Sequence, residues 1–329
     1  TPEYFLERHG LNTVTVVNTK TDAKRSVLLR DFMANFRTGD DPEIPEKLQV
    51  CDWPPTANFP DKFPDMFRIF EDCLTGSWLT SREGPLNLEA SMPLGSNPPD
   101  TGASFAGTSV SCCNPNPGPK AYLAHSAGEG TTTRLHCDVT DAINILFYAE
   151  PRDDDSEGGA LWTMIHRDDM ALAERLLREL KAGDFQGHPI HSQQLHLTPR
   201  DVEELKRQGV RIWTFVQRQG QAVFIPAGVG HQVTNLSACI KIAVDFVAPC
   251  NVKHAQKISE ELRQHRLDRD DTEAEDILQL SSMCWWTFKR SQTNDLRGLR
   301  SDPASDPWYS PYSAAPGYLP VHVRRSTRE

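Results

Sequence analysis

The sequence predicts a mainly β fold with flanking helices, an α+β arrangement in which antiparallel strands wrap into a double-stranded jelly-roll barrel. Three observations predict it. Four β-prone runs, 212–216, 222–225, 231–234 and 239–247, follow one another closely and are divided by Gly, Pro, Asn and Ser turn signals. Helical periodicity is confined to segments before, after or inserted between such runs. His136 and Asp138 on one side, and the distant His231 on the other, each sit beside a strand-like run and a turn, where a rigid sheet can fix them.

In chain order, residues 13–17 alternate as a strand and 26–36 read as a short amphipathic helix. Residues 48–51 look like a strand stopped by Trp53-Pro54-Pro55. In 64–74, Met66, Phe67, Phe70 and Leu74 share a helical face that packs the outside of a barrel. Residues 94–118 form a long loop by composition, and the barrel proper begins at 120–124. His136-Cys137-Asp138 opens the apolar run 142–148; an acidic turn cluster at 151–159 leads to the strand-like 161–165. Helix periodicity over 168–181, then a helix capped by Thr198 with Pro199 at its first position, make an insertion over 168–208. Helices at 252–267 and 271–280 brace the barrel or form a dimer face, and the tail from Ser301 reads as extended or disordered. The expected divisions are an N-terminal part of mixed helices and strands over 1–118, a jelly-roll core over 119–250, bracing helices over 251–300 and a tail over 301–329. No internal repeat is present.

The chemistry concentrates in His136, Asp138 and His231. Successive strand side chains alternate faces, so His136 and Asp138 point one way and Cys137 the other. Two neutral imidazoles and one carboxylate can occupy one face of an octahedral ion, leaving three positions open for a co-substrate and O2. That is the form of a non-haem Fe(II) site. His-x-Asp also arises by chance, and the bland reading is a surface pair beside an unrelated core histidine.

Composition narrows the function class. With 45 acidic against 35 basic residues the formal charge is −10, which argues against sequence-specific DNA binding, since phosphate affinity needs clustered Lys and Arg. An acidic surface favours a basic peptide partner. Eight cysteines without a Cys-x-x-Cys pair suggest neither a zinc knuckle nor a secreted disulfide framework, and Cys112-Cys113 read as ordinary thiols. No apolar run reaches membrane-spanning length and Thr1-Pro2-Glu3-Tyr4 lacks signal-peptide character, so the expectation is a soluble chain in a reducing compartment. A start without Met is expected of a piece of a longer protein.

The last strands carry a second constellation. If 231–234 and 239–247 form a hairpin with an odd loop around Asn235-Leu236-Ser237, His231 faces Lys241 across it. A Lys inside a small barrel needs an anion. Two candidates are open: an internal acid such as Asp245 or Asp141, and the distal carboxylate of 2-oxoglutarate.

Taken together, several segments resemble the JmjC domain of the histone lysine demethylases, and within them the lysine demethylase 3 branch acting on histone H3 lysine 9. The matching pieces are 27–36 around Arg30-Asp31-Phe32, Asp52-Trp53-Pro54-Pro55, Leu86-Asn87-Leu88, Gly118 to Tyr122, Thr131 to Asn144, Gly159 to Trp162, Ala222 to Gly228, His231 to Leu236, Ile240-Lys241, and Asp245-Phe246-Val247. They run in order over roughly residues 2–260; the tail after Leu280 matches nothing.

The resemblance implies a cupin-like JmjC barrel with Fe(II) on His136, Asp138 and His231, and 2-oxoglutarate held by Thr133 and Lys241. Strict alternation turns Thr133 away from His136, so this role needs a local bend. Asn144 matches a family Asn that bonds the co-substrate or a neighbouring group, or is structural. Tyr122 matches an aromatic near the methyl-lysine, or packs the core. The implied reaction consumes O2 and 2-oxoglutarate, gives succinate and CO2, and hydroxylates an N-methyl group that then leaves as formaldehyde. The implied setting is nuclear, with the H3 tail and chromatin as partners, mono- and dimethylated lysine 9 as substrate, and a zinc-finger region outside this chain. Departures are Cys137 for the usual Leu, Arg134 for Asn, Val244 for an acidic residue, and changes at Leu123 and His125. They bear on the peptide preference, and Cys137, if exposed, would be open to oxidation. Two other functions stay open: a protein hydroxylase of the same class, and a chromatin-binding scaffold with a vestigial barrel.

Overall fold

The computed structural model describes residues 1–36, 47–55, 59–74, 76–81, 84–92, 118–126, 133–152, 157–270 and 278–297, without the side chains of 293–297. The expected loop at 94–118, apart from Gly118, lies outside these residues. So do Cys112, Cys113 and the tail from Ser301.

Helix α1 (Pro2–His9) leads into the hairpin β1 (Thr13–Asn18) and β2 (Lys24–Leu28), followed by α2 (Leu29–Ala34) and β3 (Leu48–Trp53). The helix expected over 26–36 therefore begins only at Leu29. Ser26, Val27 and Leu28 pair with Thr15, Val14 and Thr13, and a strand partner outweighs helical spacing there. Then come α3 (Phe59–Lys62), α4 (Pro64–Cys73) and α5 (Ser77–Thr80). Met66 and Phe70 of α4 and Leu74 after it are buried, with Phe67 packed at their edge, against the same cluster as Val50, Leu123, Ile143 and Ile242. Each fully buried side chain of this size contributes about 1.5–3 kcal/mol.

The barrel consists of β4 (Lys120–Ala124), β5 (Thr133–Cys137), β6 (Asp141–Ala149), β7 (Ala160–Ile165), β8 (Ile212–Gln217), β9 (Ala222–Ile225), β10 (Gly230–Asn235) and β11 (Cys239–Phe246). They form two antiparallel sheets, ordered β2-β1-β3-β4-β11-β6-β9 and β5-β10-β7-β8. Ala142, Trp162, Met164, Val223, Ile225, Val229 and Val233 pack together in the space between them. β1 to β3 extend the larger sheet by pairing β3 with β4, so the sheet runs on across residue 118. The run 142–148 does not continue from His136 and Asp138 in one strand: β5 and β6 lie in opposite sheets.

The hairpin expected between β10 and β11 is absent. β10 pairs with β5 and β7, whereas β11 pairs with β4 and β6. Residues 236–238 cross between the sheets: Leu236 N–H donates to Gly159 O beside β7, and Glu150 N–H donates to Ala238 O beside β6. Loop parity fixes facing residues only when both strands share a sheet. His231 and Lys241 are therefore not cross-strand partners.

The insertion holds α6 (Met170–Leu180) and α7 (Pro199–Arg207), the latter opened by a reciprocal Thr198/Asp201 capping box. Met170, Ala173 and Leu177 of α6, with Val202 and Leu205 of α7, pack on Leu135, Ile165 and Ile212, the outward face of the smaller sheet. Helix α8 (Val252–Leu267) matches expectation. The second C-terminal helix is α9 (Leu280–Arg297), which begins where the expected 271–280 helix ends. Gln279 has a φ of +53°, which interrupts helical geometry just before it; residues 271–277 lie outside the described ones. Among the described residues no helix is long and apolar enough to cross a membrane.

Two histidine–glutamate pairs brace the insertion, one within it to Glu174 of α6 and one across to Glu261 of α8. His188 Nε2 lies 3.3 Å from Glu174 Oε2, His191 Nε2 lies 3.1 Å from Glu261 Oε2, and the two rings stack 4.0 Å apart. Burial and the neighbouring His191 push the His188 imidazole down to about 4 from 6.5. The unfolded chain takes up this proton near 6.5 and the folded chain only near 4, so the contribution is complete above about 6.5 and is lost as pH falls through this window. Unfolding free energies from denaturant titrations are expected to drop across it by on the order of 2 kcal/mol more in the parent than in a His188→Gln variant. Equal slopes would contradict the assignment.

Candidate metal centre

His136 near the end of β5 stands directly opposite His231 on β10, and Asp138 follows one residue past the strand end. His136 Nε2 lies 3.5 Å from Asp138 Oδ1 and His231 Nε2 lies 3.5 Å from Asp138 Oδ2. Among the described residues these three alone offer donor atoms all within 4.8 Å of one another. Each imidazole is oriented by backbone two residues earlier: His136 Nδ1–H donates to Arg134 O at 2.8 Å, and His231 Nδ1–H to Val229 O at 3.0 Å. Those bonds leave both Nε2 lone pairs aimed at the shared space. Burial and the adjacent His136 push His231 down to about 4, which keeps it neutral, as a metal ligand must be. The turn before His231 needs Gly228, whose φ is +77° and whose absent side chain leaves room for Ile258. Gly228 N–H donates to Asp138 O, fixing the carboxylate's backbone. Two neutral imidazoles and one carboxylate with an open side suit a divalent iron.

The bend required for Thr133 is present as a β-bulge. His231 pairs with His136 and Val233 with Thr133, so two steps on β10 match three on β5. The extra residue reverses parity, and Thr133 joins His136 on the inward face. Cys137 points outward into the cluster of Leu135, Ile165 and Met170. It is buried, and burial and Asp138 push its thiol up, so the exposure that would open it to oxidation is not met.

Lys241 lies on the inward face of the larger sheet, opposite Tyr122 on one side and Leu146 on the other. It is buried, and its Nζ donates to Asn235 Oδ1 across the barrel. Among the described residues no carboxylate lies within ion-pair distance of it. Asp141 is engaged elsewhere, accepting from Ala227 N–H, Ala248 N–H and Asn251 Nδ2. Asn144 is also buried and inward; Gln217 Nε2 donates to its carbonyl at 3.0 Å, while Gln217 Oε1 accepts from Trp162 Nε1. Trp162 in turn stacks on His231.

Tyr122 donates its hydroxyl to Asp52 Oδ1 at 2.6 Å. A second bulge, in β3 between Val50 and Trp53, and a φ of +50° at Asp52 turn that carboxylate toward Tyr122. Asp245 shares the inward parity of Lys241; burial, then Asp138 and Asp52, push its carboxyl well up. Lys120, the nearest cation, is drawn off by the Pro54 carbonyl at 2.6 Å. The rim beside the metal ligands thus carries two carboxyl groups, Asp52 and Asp245, of which burial favours the neutral form of Asp245. Asp52 and Asn235 were legible only as members of matching segments: neither a bulge nor a sheet crossing announces itself in one sequence.

A family model described as "JmjC domain, hydroxylase" matches residues 127–246. Lysine-specific demethylase JMJ29 of Arabidopsis thaliana is 29% identical over 80% of this chain and 36% of its own length. Lysine-specific demethylase 3A-A of Xenopus laevis is 32% identical, and lysine-specific demethylase 3A of Homo sapiens 31%, each over 88% of this chain and 24% of the relative. The chain spans about a quarter to a third of the length of these relatives.

Proposed function

The chain belongs to the JmjC-domain family, and on that premise we propose that it demethylates mono- and dimethylated lysine 9 of histone H3 as a nuclear Fe(II)- and 2-oxoglutarate-dependent dioxygenase. The observation that carries this reading is the convergence of His136, Asp138 and His231 in the same barrel as a buried ammonium, Lys241, with no carboxylate partner among the described residues. A metal and a dianionic co-substrate together would complete both halves.

In this reading His136, Asp138 and His231 hold Fe(II). Lys241 receives the distal carboxylate of 2-oxoglutarate, Thr133 adds a hydroxyl from the bulged strand, and Asn144 lines the same interior. When bound, iron and 2-oxoglutarate supply the O2 chemistry that hydroxylates an N-methyl carbon. The protein's part is placement. Asp52, held by the Tyr122 hydroxyl, places a carboxylate at the rim that favours a methylammonium over a neutral side chain. Trp162 and the apolar residues around it exclude water behind His231.

The test is succinate and formaldehyde release by the anaerobically Fe(II)-loaded protein with 2-oxoglutarate and an H3 tail peptide dimethylated at lysine 9. Equal yields of the two products are expected. Succinate without formaldehyde would replace demethylation with hydroxylation of another protein, and failure to bind metal would leave a scaffold.

A further inference from the structure

The smaller sheet carries the two histidines of the metal centre in one cross-strand row, and that row ends on an exposed aromatic. His136 pairs with His231, His231 with Met164, and Met164 with Trp213. Directly opposed residues share a face, so Trp213 projects from the same side of the sheet as both histidines. Its neighbours in sequence support this: Ile212 belongs to the outward cluster with Ile165. Although on the inward face, Trp213 is 52% exposed, because β8 is the edge of its sheet. The next inward residue, Phe215, is 37% exposed and stacks on Trp162. His166 lies against Trp213 with ring centroids 5.6 Å apart, and the exposed carboxylate of Asp168 lies 3.6 Å from His166.

We infer that Trp213 and Phe215 form a docking platform for the residues flanking the target lysine of a basic peptide substrate. The inference rests on the demethylase reading above and adds where the rest of the peptide goes. Two strand spacings of ~4.8 Å put the Trp213 backbone roughly 10 Å from that of His231. A lysine side chain reaches roughly 6 Å along its four-carbon stem, so its backbone must cross the rim between the metal ligands and the sheet edge. At about 3.3 Å per residue, positions one or two away from the target lysine then lie over the Trp213 indole. The occupant's chemistry follows from the platform. A half-exposed indole accepts an Arg or Lys side chain by cation–π contact, and the protein's −10 formal charge favours the same partner.

The experiment compares the Fe(II)-loaded parent, Trp213→Ala and Trp213→Phe on two substrates: an H3 tail peptide dimethylated at lysine 9, and Nα-acetyl-dimethyl-lysine amide, which has no flanking residues. Trp213→Ala is expected to raise the peptide KM about tenfold, the scale of an aromatic anchor. The minimal substrate should change less than twofold, and Trp213→Phe should recover most of the peptide's loss. The KM for 2-oxoglutarate, read in the same assays, should not move. An unchanged peptide KM overturns the platform. An equal loss on both substrates also overturns it, because it places Trp213 in support of the metal centre. A parent that turns over neither substrate, while still binding metal, defeats the demethylase reading itself and the platform with it.

Discussion

Replacing Asp138 with Ala is expected to lower product formation at least about a thousandfold and to remove tight Fe(II) binding, while the protein stays folded. The carboxylate is the one anionic donor of the three, and each of its oxygens lies 3.5 Å from a different histidine Nε2. Without it a dication meets two neutral nitrogens. Loss of a group that merely orients a ligand costs 10–100-fold in affinity or activity, and loss of the charged ligand costs more. Folding should survive, because Asp138 lies past the end of β5 and its side chain is 31% exposed. Its backbone carbonyl, which accepts from Gly228, is unaffected by the substitution. Anaerobic titration with Fe(II), or with Co(II) as a spectroscopic substitute, reads the binding; circular dichroism checks the fold. Undiminished metal affinity in this variant would remove the three residues as ligands.

Much of this centre was legible in the sequence because its signals are local. His136-Cys137-Asp138 needs only strand alternation to place two ligands together and the thiol on the far side, and the Pro226-Ala227-Gly228 turn marks the start of the strand bearing His231. What failed were inferences requiring the path of the chain. Parity across Asn235-Leu236-Ser237 set His231 against Lys241, yet the chain crosses between sheets there. Alternation turned Thr133 outward, yet one extra residue in β5 turns it inward. Helical spacing over 26–36 ignored that Ser26, Val27 and Leu28 had a strand waiting in β1. In each case a non-local backbone partner decided the outcome. Trp213 is the clearest omission: its run alternates like any strand, and only the pairing of four strands in order puts it in the row of the histidines.

Lys241→Met is expected to act in opposite directions on the two states of the protein. In the absence of co-substrate, Lys241 is a buried amine whose one hydrogen-bond partner among the described residues is Asn235, and burial lowers its pKa. Holding its charge away from water without a counter-ion is costly, so the ligand-free protein carries a penalty that Met, apolar and of similar length, removes. Thermal midpoints measured without 2-oxoglutarate should therefore be unchanged or higher in the variant. Binding moves the other way. A carboxylate brought against this ammonium relieves the penalty, and deleting one partner of a buried charge pair costs about 3–5 kcal/mol. The KM for 2-oxoglutarate should then rise at least about a hundredfold. Metal affinity should hold, since Lys241 stands on the opposite sheet from His136 and His231. Both halves of the result matter. A variant that loses stability along with co-substrate affinity would make Lys241 a structural member of the barrel, and one that keeps its 2-oxoglutarate KM would require another cation to receive the distal carboxylate. Only the combination of a stable ligand-free protein and lost co-substrate affinity identifies a charge kept buried in order to be paired by a ligand.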